Sequence, residues 1–331
     1  MGSPSPSAAS PMLCYTQARY ADASEQETGL NGWSQRYCQL SRGAFAGSIE
    51  TLAMEGICIH RERINVATEQ HVVTPPDHLV FATTLGPSDD WRVNAAPLPG
   101  RAVTISDAGQ EILAVSSPGS DLLLISVRRE LLDASGYGRF AAGQSLVTEN
   151  SPTSELTGWV LGLLNHCRTQ QAHDVGALEA LIPALLTERL TEIAASARGA
   201  AAPMSLHEAA RLVRRSCEVV LDQSLDALTA ADLAAALGIP MSQLTAAFKV
   251  GVGLSPAQWM RQQRLGGARR ALTRARPGEA TVSEIAMAWG FWHLGRFADY
   301  YQRQFGERPS DTLQRSGATS ARDADRLWMV H

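Results

Sequence analysis

The sequence has no C-x-x-C pair, no apolar run of membrane-span length and a single lysine, Lys249. Its five cysteines, Cys14, Cys38, Cys58, Cys167 and Cys217, are odd in number and scattered. Neither a disulfide framework nor a zinc ribbon is expected from them, and reduced thiols in a cytoplasmic protein are the plain reading. The longest apolar stretches, such as Asp121 to Val127, fall far below the ~20 residues that a membrane span needs. Met1 to Pro11 is rich in Ser, Pro and Ala and lacks the basic and apolar segments of a signal peptide. P-loop and Rossmann fingerprints are missing, as is a Gly-x-Cys-x-Gly elbow. No nucleophile stands at a spacing that would give it a partnered base. Neither catalysis nor a bound cofactor is expected.

What is present is length enough for about two domains, 331 residues, with 45% hydrophobic residues to build cores. The overall charge, −4 from 29 basic and 33 acidic residues, gives no hint of a nucleic-acid partner. Cut at Pro240, the balance changes. Pro240 to Gly317 holds 11 basic residues against 5 acidic, a net of +6, which leaves −10 for the remainder. A basic, anion-binding module joined to an acidic partner domain follows.

Residues 1–28 are small and polar and read as a disordered tail. Asn31 is placed to cap a short helix through Leu40, with Trp33, Tyr37 and Leu40 on one side. The period then shortens. Ser48 to Met54, Ile57 to Arg63, Leu79 to Thr84, Trp91 to Val93, Glu111 to Val115 and Leu122 to Val127 read as strands. Turn residues such as Glu55-Gly56 and Pro99-Gly100 separate them. That spacing predicts a β-meander, sandwich or barrel. Helices follow from Ser151 towards Gln171 and from Leu178 to Ala195. Leu163, Leu164 and Leu181 to Leu190 would either form a dimer interface or pack on the strands. The expected division is a sensing and dimerisation domain at 29–195, a linker at 196–204, an all-α domain at 205–316 and a tail at 317–331.

Two segments of the last hundred residues match each other. Leu233-Ala234-Ala235-Ala236-Leu237-Gly238-Ile239 parallels Ile285-Ala286-Met287-Ala288-Trp289-Gly290-Phe291. A second helix follows each glycine, Met241 to Val250 and His293 to Gln304. Helix, glycine turn and helix is the helix-turn-helix plan. One copy is weak evidence, since Ala-rich helices ending in Gly are common. Two copies with glycines 52 residues apart carry more. Between them a long helix opens at Ser255-Pro256 and runs to about Arg274. Its Arg261, Arg264, Arg269 and Arg270 are phosphate-contact candidates, or else a solvated basic face. Gly266-Gly267 inside it costs about 1 kcal/mol per residue against Ala. The pair either softens the helix or admits close approach by DNA or the other domain.

This C-terminal half resembles the AraC/XylS family of bacterial transcription regulators. Ile285-Ala286, Gly290-Phe291, Phe297, Phe305-Gly306 and Pro309-Ser310 stand where the family pattern I-A-x-x-x-G-F…F…F-G-x-x-P-S puts them. The run Ala286 to Leu313 is especially similar to the ethanolamine-utilisation operon regulator subgroup, as, more loosely, are Trp33, Tyr37, Gln39-Leu40, Gly43, Phe45, Gly47 and Arg61-Glu62. The resemblance implies an α+β chain: an N-terminal cupin-like β-barrel with attached helices, and an all-α double helix-turn-helix domain. It further implies double-stranded promoter DNA, RNA polymerase and a small-molecule effector as partners, with a homodimer possible, and activation as the more usual outcome.

Base contacts in the family come from the exposed face of the second helix in each unit. Here those positions are Ser242, Thr245 and Ala246, with Lys249 towards phosphate, in the first unit. In the second they are His293, Gly295, Arg296, Asp299 and Arg303. The short side chains of the first unit allow only modest readout. Arg296 has the fork to read a guanine or to grip a phosphate; Asp299 would accept from cytosine or orient Arg296 or Arg303. His60, Arg61, Phe81 and Trp91 are the effector-lining candidates. His60, His71 and His78 invite a metal-cupin reading, but Ile59-His60-Arg61 offers no H-x-H pair, so no metal is expected. The competing reading is a metabolite-binding cupin-like enzyme or sensor whose helical tail is only an interaction module.

Overall fold

The computed structural model describes residues 13–86, 91–98, 102–133, 146–148, 151–169, 176–196, 198–199, 204–222, 228–275 and 278–315. The first half is almost all strand. β1 (Cys14–Tyr20) and the one-turn α1 (Ala23–Gln26) precede β2 (Ser34–Gln39), β3 (Gly47–Met54), β4 (Ile57–Ile64), β5 (Thr68–Val73) and β6 (His78–Thr84). Then come β7 (Arg92–Val93), β8 (Ala96–Pro97), β9 (Val103–Ser106), β10 (Glu111–Ser116) and β11 (Ser120–Arg128). A short α2 (Arg129–Asp133), β12 (Leu146–Thr148), α3 (Ser151–Thr169), α4 (Gly176–Ser196) and β13 (Arg198–Gly199) complete this part. The second half is helical: α5 (Met204–Asp222), α6 (Ala230–Leu237), α7 (Met241–Gly251), α8 (Pro256–Arg274), α9 (Val282–Ala288) and α10 (Leu294–Phe305).

The strands form two antiparallel sheets, one in the order β1-β3-β4-β11-β6-β9-β12-β13, the other β2-β5-β10-β7-β8. Period-2 alternation gives the larger sheet two buried faces. Ile57, Ile59, Leu79, Phe81, Leu123, Ile125 and Val127 point towards Leu156, Val160 and Leu164 of α3 and Ile182, Leu186 and Leu190 of α4. Val80, Leu122 and Leu124 point the other way, onto Trp91, Leu98 and Ala114 beside the smaller sheet. The outer face of the smaller sheet is covered in turn by the helical half. There Leu113 and Ala95 join the cluster of Val213, Leu233, Phe248 and Trp259. The layers therefore run helix pair, large sheet, small sheet, helical domain.

Three expectations need correction. The cupin-like barrel does not form: among the described residues no pairing joins the two sheets, and each keeps open edges. Residues 14–26 of the expected disordered tail are ordered. β1 pairs with β3 from Cys14↔Ala53 to Tyr20↔Gly47, its polar, small composition being that of an edge strand rather than of free chain. The helix expected over Asn31–Leu40 is instead β2, paired with β5 from Ser34↔Val73 to Gln39↔Thr68. Covered on both faces, β2 shows no clean alternation, and Trp33, Tyr37 and Leu40 match a helical spacing by coincidence. The tail at 317–331 and residues 1–12 lie outside the described residues.

Candidate nucleic-acid interface

Each helix of the two paired motifs has a local reason to start or stop where it does. Thr229 and Thr281 cap α6 and α9 through reciprocal bonds with Asp232 and Glu284, and Ser255 caps α8 with Gln258, ahead of Pro256 in its first turn. After α6 and α9 the chain turns through Gly238 (φ +68°) and Gly290 (φ +75°), a left-handed conformation that favours glycine. Pro240 precedes α7 without a side-chain cap bond, as its lack of a hydroxyl requires. α6 and α7 meet at 100°, the geometry of a helix-turn-helix. No single helix is long and apolar enough to cross a membrane.

α8 is common to both units. Its N-terminal Trp259 packs edge-on against Phe248 of α7, ring centroids 4.9 Å apart. Further along, Leu265, Ala268 and Leu272 enter the core of the second unit with Ile285, Ala286, Phe297, Tyr301 and Phe305. A fully buried aromatic or aliphatic side chain contributes about 1.5–3 kcal/mol, so these anchors hold the two units on one rod.

The faces left over are those expected to read DNA. Ser242, Thr245, Ala246 and Lys249 are all exposed on α7, as are His293, Gly295, Arg296, Asp299 and Arg303 at and along α10. Spacings of three and four put each set on one stripe. Thr245 donates its hydroxyl to the Met241 carbonyl (2.9 Å), which leaves the methyl and a lone pair for a ligand. Asp299 makes no ion pair or hydrogen bond with Arg296 or Arg303 among the described residues, so it does not orient them in this state. The opposite side of α10 is engaged: Gln304 donates to the Gln39 and Ser41 carbonyls at 2.9 and 3.1 Å, and Gln39 returns a bond to the Gln304 carbonyl at 2.9 Å.

The four phosphate-contact candidates divide. Arg261 is exposed and stacks over the Tyr300 ring at 5.0 Å. Arg264 donates to the Leu228 carbonyl. Arg269 is buried, paired with Asp22 and, at 2.8 Å, with Glu307, and lies over the Phe305 ring at 4.5 Å. Arg270 pairs with Glu27 and donates to the Tyr37 carbonyl. Arg269 and Arg270 therefore face the N-terminal domain, not an open surface. Sequence periodicity placed them outward because the surface they meet belongs to another domain. Glu307 shows the effect on charge: burial opposes its ionisation, but bonds from Arg315 and Thr312 and the charge of Arg269 outweigh it and hold the carboxyl at about 2. Gly267 also finds its reason here, since a Cβ on it would stand 2.0 Å from the Trp289 ring.

The effector-lining candidates divide too. Trp91 lines a cavity of about 50 Å³ between the sheets, with Trp33, Gln35, Glu62 and Gln70. His60 lies on the inner face of β4; its Nδ1 is 2.9 Å from the Thr51 hydroxyl, and burial lowers its pKa to about 4. Arg61 is on the outer face, forked onto Asp121 at 2.9 and 2.7 Å. Phe81 packs under α3 and α4, on the far side of the large sheet from the cavity. Sequence reading missed Glu62, buried and accepting bonds of 2.7 Å from Gln26 and from the Tyr37 hydroxyl, with its pKa raised by burial. A carboxylate at an inward position of an alternating strand was the available signal.

With this geometry in view, comparison with known proteins adds a family. Residues 233–315 match a helix-turn-helix domain model. A probable thc operon regulatory protein of Rhodococcus erythropolis is 35% identical over 103 residues, 31% of this chain and 31% of that protein. XylDLEGF operon transcriptional activator 3 of Pseudomonas putida is 39% identical over 95 residues, 29% of this chain and 28% of that one. The C-terminal domain is an AraC-type helix-turn-helix domain. The chain spans about three tenths of the length of these relatives, so the likeness belongs to the AraC-type domain alone. The narrower likeness to ethanolamine-operon regulators finds no support in them. A solved probable AraC family transcriptional regulator from Rhodopseudomonas palustris is 37% identical, covering 32% of this chain and 98% of that one, with a TM-score of 0.29.

Proposed function

We propose that the chain is a sequence-specific DNA-binding transcriptional regulator, an activator acting by binding rather than catalysis. α7 and α10 read two successive major grooves about one helical turn (~34 Å) apart on one face of the duplex. The observation that carries this reading is the pair of exposed stripes on α7 and α10, held on the shared α8 with their opposite sides packed. Lys249, Arg261 and Arg303 supply phosphate contacts, and Arg296 reads guanine. Footprinting on the promoter of its own gene and of neighbouring genes tests this. Two protected major-groove stretches one turn apart are expected, and no protected site on any of them would refute it. Arg296→Ala should cost about 1–3 kcal/mol on the specific site and little on random DNA; an equal loss on both reassigns Arg296 to phosphate.

The N-terminal domain fits a sensing role in the same scheme. Trp33 Nε1 and Gln35 Oε1 are buried without hydrogen-bond partners, and both residues line the cavity between the sheets. Unpaired polar groups there favour a small polar effector, whose binding would satisfy them. Exposed Trp159 of α3 and Leu181 and Leu185 of α4 offer a homodimer contact, and RNA polymerase is the partner that activation requires.

A further inference from the structure

The outer face of β5 carries a cluster that DNA reading and effector sensing do not use. Glu69 and His71, two residues apart, project to the same side of the strand, towards α5 and α8. Cys217 of α5 meets them there, and one donor atom from each of the three lies within 4.8 Å of the others. Glu69 is fully buried and Cys217 nearly so. The Glu69 carboxylate is fixed from behind: Oε2 accepts from Trp259 Nε1 at 2.6 Å, and Oε1 from Gln263 Nε2 at 3.2 Å and from His71 Nε2 at 2.7 Å. Such outer bonds orient metal ligands in known sites. A cavity of about 230 Å³ opens beside His71 and Cys217, with room for a water as a fourth ligand. Arg36, Arg214, Glu111 and Glu218 also line it, two charges of each sign, so the ligand set decides the local charge.

We propose that Glu69, His71 and Cys217 form a three-ligand site for a zinc-like divalent cation. One thiolate, one imidazole and one carboxylate are a donor set for a borderline metal, and their combined charge of −2 neutralises it. Binding releases to solvent the Cys217 thiol proton and the Nε2 proton of the His71 imidazolium that pairs with Glu69, which leaves a neutral imidazole as ligand. Ligand bonds of about 2.0–2.3 Å need the Glu69–His71 contact to widen by about half an ångström and Cys217 to close in, within reach of side-chain rotation. Since β5 belongs to the sensing domain and α5 leads into the first DNA-reading unit, the ion would clasp the two together.

The test uses the full chain, stripped with a chelator and titrated with Co²⁺ as a coloured substitute for Zn²⁺. One equivalent should bring up a thiolate-to-cobalt charge-transfer band and tetrahedral visible bands, both abolished by Zn²⁺. Cys217→Ser should remove the charge-transfer band, and His71→Gln should weaken binding at least tenfold. Trp259→Phe, which removes the bond to Glu69 and also thins the packing against Phe248, should weaken it 10–100-fold in apo protein whose fold matches wild type. Apo variants are first matched to apo wild type by circular dichroism, and His71→Gln, at a half-buried position, serves if Cys217→Ser does not fold. No thiolate band in wild type, or a band that survives Cys217→Ser but not Cys14→Ser or Cys58→Ser, would overturn the proposal and leave a hydrogen-bonded lock.

Discussion

Adjacent glycines in α8 have opposite reasons to be there, and substitution separates them. A methyl on Gly267 would overlap the Trp289 ring at 2.0–2.4 Å, whereas one on Gly266 would meet nothing closer than 3.8 Å. Gly266→Ala should therefore stabilise the protein by up to about 1 kcal/mol, the helix-propensity gain. Gly267→Ala should lose that gain and a further 1–3 kcal/mol, roughly, to overpacking. Denaturant midpoints at constant slope measure both, and a stabilising Gly267→Ala would show that the indole moves aside freely. Glu307 is a second single-residue case. Its carboxyl sits at about 2 against an ordinary 4.5, so its pairs with Arg269 and Arg315 contribute fully above pH 4.5 and are lost as pH falls through 2. With solvent screening discounted, Glu307→Gln should cost on the order of 1–2 kcal/mol at neutral pH. The difference from wild type should vanish near pH 2, and a difference independent of pH would assign the loss to packing.

At the scale of elements, α8 is the organising piece. It holds one unit at Trp259 and the other at Leu265 and Leu272, and it meets the N-terminal domain at Arg269 and Arg270. Arg269→Met leaves Asp22 buried beside an apolar side chain, and should destabilise the protein by about 3 kcal/mol or more. A double-mutant cycle with Asp22→Asn, read by thermal unfolding, should recover much of that loss; additivity would mean that the pair is not coupled. In the helical half, α6 to α10 were readable from the sequence to within a few residues, and α5 was not read. Caps, glycine turns and aromatic anchors are local signals, and α7, α8 and α10 begin within a residue of where those signals point. β3, β4, β6, β10 and β11 were readable from alternation and turns. β1, β2, β5 and β9 were not: β1 is a polar edge strand, β2 and β5 carry Gln, Arg, Glu and His where other elements cover them, and β9 is only four residues long. The cavity was hidden for a related reason: Trp33, Glu62, Gln70 and Trp91 come from separate strands, and only the pairing of the sheets brings them together.

For the whole molecule, the division of charge into −10 and +6 overstates what DNA would meet. Two of the eleven basic residues from Pro240 to Gly317, Arg269 and Arg270, are already matched by Asp22 and Glu27 of the N-terminal domain. They lie on the side of the AraC-type domain where Gln304 also docks, away from the stripes of α7 and α10. Each phosphate contact adds about 0.9 to the slope of log affinity against log salt, so the slope reports which cations reach the backbone. Lys249→Ala and Arg303→Ala should each lower it by about 0.9, while Arg270→Gln should leave it unchanged. Gel-shift titrations across a salt series on one operator fragment make the comparison. A fall of about 0.9 for Arg270→Gln would show that the N-terminal domain leaves α8 when DNA binds, because only then can that guanidinium exchange a carboxylate for a phosphate. An unchanged slope keeps the layered arrangement intact on DNA and assigns the acidic half the task of holding α8, rather than of masking it.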